Sequence, residues 1–434
     1  MSNYHKRLDL LAIALISFSL ITAGHALAST PSFELQQNSI TQNSEPTNAK
    51  DFANKTQNSL MAQLVEGLYT SDVNAAAYFQ QGVSLYNRRE YQNAVVALRK
   101  ALQYDPKIAM AHYLLGNSFA QQKQFAAAVT AYQTSINLNP SMPESYYNLG
   151  LALYQQGNLD AAIAQYQKAL ALNPNIGDAN YNIGLILESQ GKAQGAIAQY
   201  QEAVRINPQN TAAHYNLGLL WLKQQQLDRA IAAFQSATKI SPNFAPAHYQ
   251  LGAILGSQNQ LAEAQQELEK AVELDPSFAP AHYNLGVVYA KQGNLNPAID
   301  RLRQATKLDP KDISSYQQLG LALTQNGQFE EAATSLQQAI RLNASDPMTH
   351  YNLARAWQRA GKLPEAIAEF KQVIALNPNM PEAYYHLGLA LQASEQKEDA
   401  IASLIEARRL FEQQGNVQQI IEIDSVLQQI VKSK

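Results

Sequence analysis

The sequence predicts an all-α chain, a solenoid of stacked helix-turn-helix units, and three residue columns predict it. Glycine falls at Gly82, Gly116, Gly150, Gly184, Gly218, Gly252, Gly286, Gly320 and Gly388, 34 residues apart except where Ala354 takes the beat. Alanine fills a second column at Ala94, Ala128, Ala162, Ala196, Ala230, Ala264, Ala298, Ala332, Ala366 and Ala400. Proline fills a third at Pro106, Pro140, Pro174, Pro208, Pro242, Pro276, Pro310 and Pro378, replaced by Ala344 and Glu412. A fixed period of this length marks repeats that cannot bury an apolar face alone and so stack into one quasi-linear domain.

Taken from the N-terminus, His5, Lys6 and Arg7 precede an apolar run from Leu10 to Gly24, with Ala26 and Ala28 as small residues before a cut. The run is shorter than the ~20 residues a membrane span needs. Residues 1–28 therefore read as a cleaved signal peptide, with export to a periplasm or equivalent lumen; an uncleaved anchor over residues 8–24 is the alternative. Membrane contact is expected only through such a retained N-terminus. Residues 29–58 are rich in Gln, Asn, Ser and Thr and too poor in apolar residues to fold. Leu60, Met61, Leu64, Val65 and Leu68 then suggest a cap helix over 59–74.

Ten repeats occupy 75–414. In the unit from Thr211 to Phe244, Tyr215, Leu217, Leu219, Leu220 and Trp221, then Leu227, Ile231, Phe234 and Ile240, follow helical rather than alternating spacing. The first helix is expected to stop near a glycine or polar turn, as at Gly157, Gly191, Gly293, Gly327 and Gly361, where glycine takes the left-handed conformation. The second must stop before the proline, which lacks an N–H and biases its predecessor away from helix. The glycine and alanine columns stay small because helices approach to roughly 8–10 Å only over short side chains. After Gly415, a cap helix over 415–434 is expected to turn Val417, Ile420, Ile421, Val426, Leu427, Ile430 and Val431 to one side.

These units resemble the tetratricopeptide repeat: a large apolar residue, Leu-Gly, an aromatic or Leu, then Ala, then Phe, Tyr or Leu, Ala and Pro. The resemblance covers residues 75 to 414 and implies a right-handed superhelix whose first helices line a concave face. The first unit departs with Gln81 before its glycine, and the ninth with Ala354 and Ala344.

The net charge of −3 speaks against nucleic acid, which needs a basic stripe. With no cysteine, disulfides and thiolate zinc sites are excluded. No phosphate-binding glycine loop, G-x-S-x-G or H-E-x-x-H motif is present, and no cofactor, metal or catalytic residue is expected. His112, His214, His248, His282 and His350 share one column. Helices about 10 Å apart cannot bring such a ladder onto one zinc ion, whose ligands sit at about 2.1 Å. The column is read as structural, filling the slot that Tyr78, Tyr146, Tyr316 and Tyr384 fill elsewhere; His386, two places on, is the histidine expected to face a ligand.

By the resemblance, the inner strip carries a tyrosine column, including Tyr147, Tyr181, Tyr215, Tyr283 and Tyr351, with an aliphatic column four residues on that includes Leu151 and Leu219. Tyrosine suits both packing and ligand contact. Beside it run Asn148, Asn182, Asn216, Asn284 and Asn352, whose amides carry both donor and acceptor for an extended backbone. This column resembles the asparagine ladder in the superhelical repeats of O-linked N-acetylglucosamine transferases, whose catalytic part has no counterpart here; bonding within the scaffold is the alternative. The lysine and arginine clamp of chaperone-tail binders in the family is not matched, since tyrosine stands at the clamp's first lysine. Arg355 and Arg359, near His386, form a basic pair that suits an acidic partner group or a solvated face.

The sequence thus points to an exported, non-catalytic scaffold that binds extended peptides or partner proteins in its groove, in assembly of a larger complex. A structural spacer acting through convex face and caps, or an accessory subunit of an envelope polysaccharide or glycosyltransferase system, are the alternatives.

Overall fold

The computed structural model describes residues 70–432. The expected signal peptide, the polar linker and residues 59–69 of the expected cap helix lie outside the described residues. These residues fall into two compact units, 70–242 and 243–432, and all regular structure in both is helical.

The N-terminal unit holds α1 (Val73–Asn87), α2 (Tyr91–Tyr104), α3 (Ala109–Gln121), α4 (Phe125–Leu138), α5 (Pro143–Gln155), α6 (Leu159–Leu172), α7 (Gly177–Ser189), α8 (Ala193–Ile206), α9 (Thr211–Lys223) and α10 (Leu227–Ile240). The C-terminal unit holds α11 (Ala245–Ser257), α12 (Leu261–Leu274), α13 (Ala279–Lys291), α14 (Leu295–Leu308), α15 (Ile313–Gln325), α16 (Phe329–Leu342), α17 (Pro347–Arg359), α18 (Leu363–Leu376), α19 (Pro381–Ala393), α20 (Lys397–Gln413) and α21 (Val417–Lys432). Each odd-numbered helix up to α19 pairs with the next as one repeat.

The turn inside a repeat needs one left-handed residue. Gly157 supplies it at φ 78° and Gly191 at φ 72°, but Lys123 and Gln225 do so as well, at 58° and 59°. Glycine thus marks some of these turns and a polar residue the others, held left-handed by the closing hydrogen bonds at a cost of roughly 1–2 kcal/mol.

Second helices end two residues ahead of the proline. A short cap bond closes them, from Asp105 N to Ala101 O at 3.0 Å and from Asn139 N to Ser135 O at 2.8 Å. The Asp or Asn at this cap then accepts from the backbone two residues on, as in Asp105 with Lys107 N at 2.9 Å and Asn343 with Ser345 N at 3.1 Å. Such a side-chain turn competes with further helix. It explains why α16 stops at Leu342 although Ala344 stands in the proline column.

Packing inside each repeat runs from the glycine to the residue 16 places on. A Cβ at Gly116 would lie 2.6 Å from the Tyr132 ring, and one at Gly218 2.6 Å from Phe234. In the C-terminal unit Gly286 meets Leu302 at 2.6 Å and Gly320 meets Leu336 at 2.5 Å in the same way. These partners are fully buried or nearly so, with Tyr132, Phe234 and Leu302 among the largest such side chains, each worth about 1.5–3 kcal/mol of burial. The alanine column is fully buried in all ten repeats.

α21 packs on α20 through part of the face its sequence suggests: Ile430 is buried and Ile420, Val426 and Leu427 pack against the core. Ile423 and Ile430 are buried, seven apart on one stripe, whereas Val417, Ile421 and Val431 are exposed. Arg408 Nε on α20 donates to Asp424 Oδ1 at 2.8 Å and fixes the register. No described helix is long and apolar enough to cross a membrane.

Candidate functional site

Within each unit, consecutive first helices touch: α1 with α3 and α3 with α5, then α11 with α13, α13 with α15, α15 with α17 and α17 with α19. Their shared face carries the tyrosine, asparagine and aliphatic columns, and it divides into accessible and buried members. Tyr147, Asn148, Leu151, Tyr181, Asn182, Leu219 and Asn352 are half-buried. Tyr215, Asn216, Tyr283, Asn284 and Tyr351 are buried, which takes them out of the accessible strip.

The reason lies in their partners. Four of the tyrosine rings pack at a tilt or edge-on against an aromatic ring on the second helix of their own repeat: Tyr147 on Tyr166 with centroids 5.7 Å apart, Tyr181 on Tyr200 at 5.6 Å, Tyr215 on Phe234 at 5.6 Å and Tyr351 on Phe370 at 6.0 Å. The tyrosine hydroxyl then accepts from the asparagine of the following repeat. Asn148 Nδ2 donates to Tyr113 OH at 3.1 Å, Asn182 Nδ2 to Tyr147 OH at 3.3 Å and Asn216 Nδ2 to Tyr181 OH at 3.5 Å. Asn148 also donates to Asn117 Oδ1 at 2.9 Å, and Asn216 to Tyr200 OH at 3.3 Å. Both amide hydrogens of Asn148 and Asn216 are thus engaged within the fold, and pairing of these two amides with a foreign backbone through donor and acceptor together is not open to them. Burial pushes the Tyr113 hydroxyl up to about 12, so it stays protonated and available as an acceptor and donor at neutral pH.

The histidine column is bonded to the loops. His112 Nε2 lies 3.1 Å from Pro106 O and His214 Nε2 3.2 Å from Pro208 O. In the C-terminal unit, His282 Nε2 reaches Pro276 O and His350 Nε2 reaches Ala344 O, both at 3.1 Å. Each ring N–H donates to a carbonyl six residues back, which pins the preceding connection. Burial holds the His214 and His282 imidazoles below their ordinary range.

His386 behaves differently. With Arg355 and Arg359 it lines a cleft of about 240 Å³, completed by Gln358, Tyr385, Leu389 and Glu422. Arg355 Nη1 donates to His386 Nε2 at 2.5 Å, which fixes the neutral imidazole tautomer with its proton on Nδ1. The ring stacks on Phe370, with centroids 6.0 Å apart and planes 16° apart. The exposed Arg359 guanidinium sits over Phe329 at 6.0 Å. Tyr385 OH donates to Glu422 Oε1 at 2.8 Å, and burial with this carboxylate raises the Tyr385 pKa. The three residues singled out in the sequence are brought together here. Glu422 and Gln358 were not foreseen: Glu422 lies on α21, outside the repeat register, and Gln358 belongs to no column.

Family models described as tetratricopeptide repeat or TPR repeat match residues 75–108, 116–157 and 147–211. The chain is a tetratricopeptide-repeat protein. Within this family, a model described as the cilia and flagella-associated protein 70 C-terminal domain matches residues 209–422. No curated protein matches the chain. Among solved structures, the repeat chain is similar to YrrB, described as a TPR protein with an unusual peptide-binding site, at 28% identity over 43% of this chain and 96% of that one, TM-score 0.40. It is similar to MamA of Desulfovibrio magneticus RS-1 at 26% identity over 39% and 96%, TM-score 0.37. A third similar structure is pilF of Pseudomonas aeruginosa, at 20% identity over 50% and 96%, TM-score 0.41.

Proposed function

We propose that this protein is an exported, non-catalytic interaction scaffold that holds an extended segment of a partner protein along its first helices, in assembly of a larger complex. The observation that carries the reading is the half-buried strip Tyr147, Leu151, Tyr181, Asn182 and Leu219 on neighbouring first helices of the N-terminal unit. Its chemistry is amphipathic. Ring faces and leucines offer apolar contact area, and because the tyrosines are already clamped by ring packing and by asparagine, little side-chain entropy remains to be lost on binding. Backbone groups of an extended ligand find hydroxyls and the amide of Asn182 between those apolar patches.

Panning a random peptide library on the full chain, followed by titration of a selected peptide, tests this. Leu151→Glu with Leu219→Glu is expected to weaken that peptide at least about tenfold, since each charge must be desolvated against an apolar ligand, while the melting temperature stays near wild type. Unchanged affinity in the double variant overturns the groove reading.

A further inference from the structure

The cleft in the C-terminal unit is built from three helices of different origin. α17 of the ninth repeat supplies Arg355, Gln358 and Arg359, α19 of the tenth supplies Tyr385 and His386, and α21, which is not part of any repeat, supplies Glu422. The helices α17 and α19 bring a hydroxyl and the guanidinium, amide and imidazole groups of the other four residues, whereas Glu422 is the single carboxylate on the wall. It is already engaged with this wall, accepting a hydrogen bond from the Tyr385 hydroxyl at 2.8 Å. α21 does not depend on that contact alone for its place, because Ile423 and Ile430 are buried and Arg408 holds Asp424 at 2.8 Å. The cleft's volume of about 240 Å³ compares with roughly 30 Å³ for one water, so a second acidic side chain has room beside the first.

We infer that this cleft is a recognition site for an acidic side chain of a partner protein, and that Glu422 is its resident competitor, a carboxylate of the chain itself that an incoming aspartate or glutamate must displace from Tyr385. The inference rests on the partner-binding reading above and adds the chemistry of one contact to it. Guanidinium groups pair with carboxylates through charge-assisted hydrogen bonds. A like charge held in the same cleft weakens any acidic ligand, and its neutral amide would not.

Fluorescein-labelled hexaglutamate, titrated by anisotropy against the full chain, tests this, with hexalysine as charge control. Glu422→Gln is expected to bind hexaglutamate about fivefold tighter than wild type, the scale of one partly exposed charge contact. Arg359→Gln added to it is expected to reverse the gain, and hexalysine is expected to show none. Should Glu422→Gln melt early, Glu422→Asp, which withdraws the carboxylate by one methylene, gives the same comparison with the charge retained, and tighter binding is again expected. Equal hexaglutamate affinity in wild type and the Glu422 variants overturns the inference. The peptide selected on the groove runs alongside: its dependence on Leu151 and Leu219 reports on the groove reading alone, so the two ideas fail separately.

Discussion

Tyr166 is completely buried and its hydroxyl has no hydrogen-bond partner, whereas Tyr132 in the same column donates to Asn117 at 2.7 Å and Tyr200 to Glu188 at 2.7 Å. A buried hydroxyl left unmade costs roughly 1–3 kcal/mol, and Phe234 and Phe370 fill the equivalent place without one. Tyr166→Phe is therefore expected to stabilise the protein by about 1–2 kcal/mol in urea unfolding; a loss of stability would mean the hydroxyl is satisfied. The same scale explains what could be read of the site in advance. Arg355, Arg359 and His386 stood out because they break the repeat pattern. That Asn148 and Asn216 are spent on neighbouring residues is one of two readings the sequence leaves open, and it cannot decide between them, because each partner sits 31 to 35 residues away in one case and 16 to 35 in the other and depends on how an amide is turned. Glu422 offered no signal, since a lone glutamate on a terminal helix looks like solvent-facing charge.

At the scale of helices, the periodic columns made the pairs legible almost to the residue, because small residues recur only where two helices must touch. Gly218 shows how tight that contact is, with Phe234 where a Cβ would go and both residues buried. Gly218→Ala is expected to cost about 1–3 kcal/mol of overpacking, seen as a lower melting temperature; an unchanged melt would remove the glycine column from the packing account. Less legible were the stops. Proline was credited with ending each second helix, yet the Asp or Asn ahead of it closes its own turn, as Asn343 does without proline. α21 lacks a repeat to set its register, and so apolar spacing alone finds Ile430 but passes over Ile423 and includes the exposed Val417, Ile421 and Val431.

For the molecule as a whole, acid is the condition that the histidine column makes relevant. Burial holds His214 in one unit and His282 in the other below the ordinary value of 6.5, so on acidification the unfolded chain takes up protons first. Their contribution to stability is complete above about 6.5 and is lost as pH falls through that value towards the folded pKa. The melting temperature is expected to drop between about pH 7.5 and 5.5, and less so in His214→Gln with His282→Gln; parallel profiles for the two proteins would exclude these residues as the cause.

The glycine contact closes within a repeat, over 16 residues, while the asparagine to tyrosine bond closes between repeats, over 35. Self-sufficiency of a unit and its adhesion to the next are thus encoded in separate letters. A joint can be made by different letters while the unit keeps its own shape, as where Gln317 stands in the tyrosine column and reaches the next unit through Asp346 at 2.8 Å and Thr349 at 2.6 Å. Duplication and drift can then adjust how firmly one unit holds the next, joint by joint, while the bricks themselves stay unchanged.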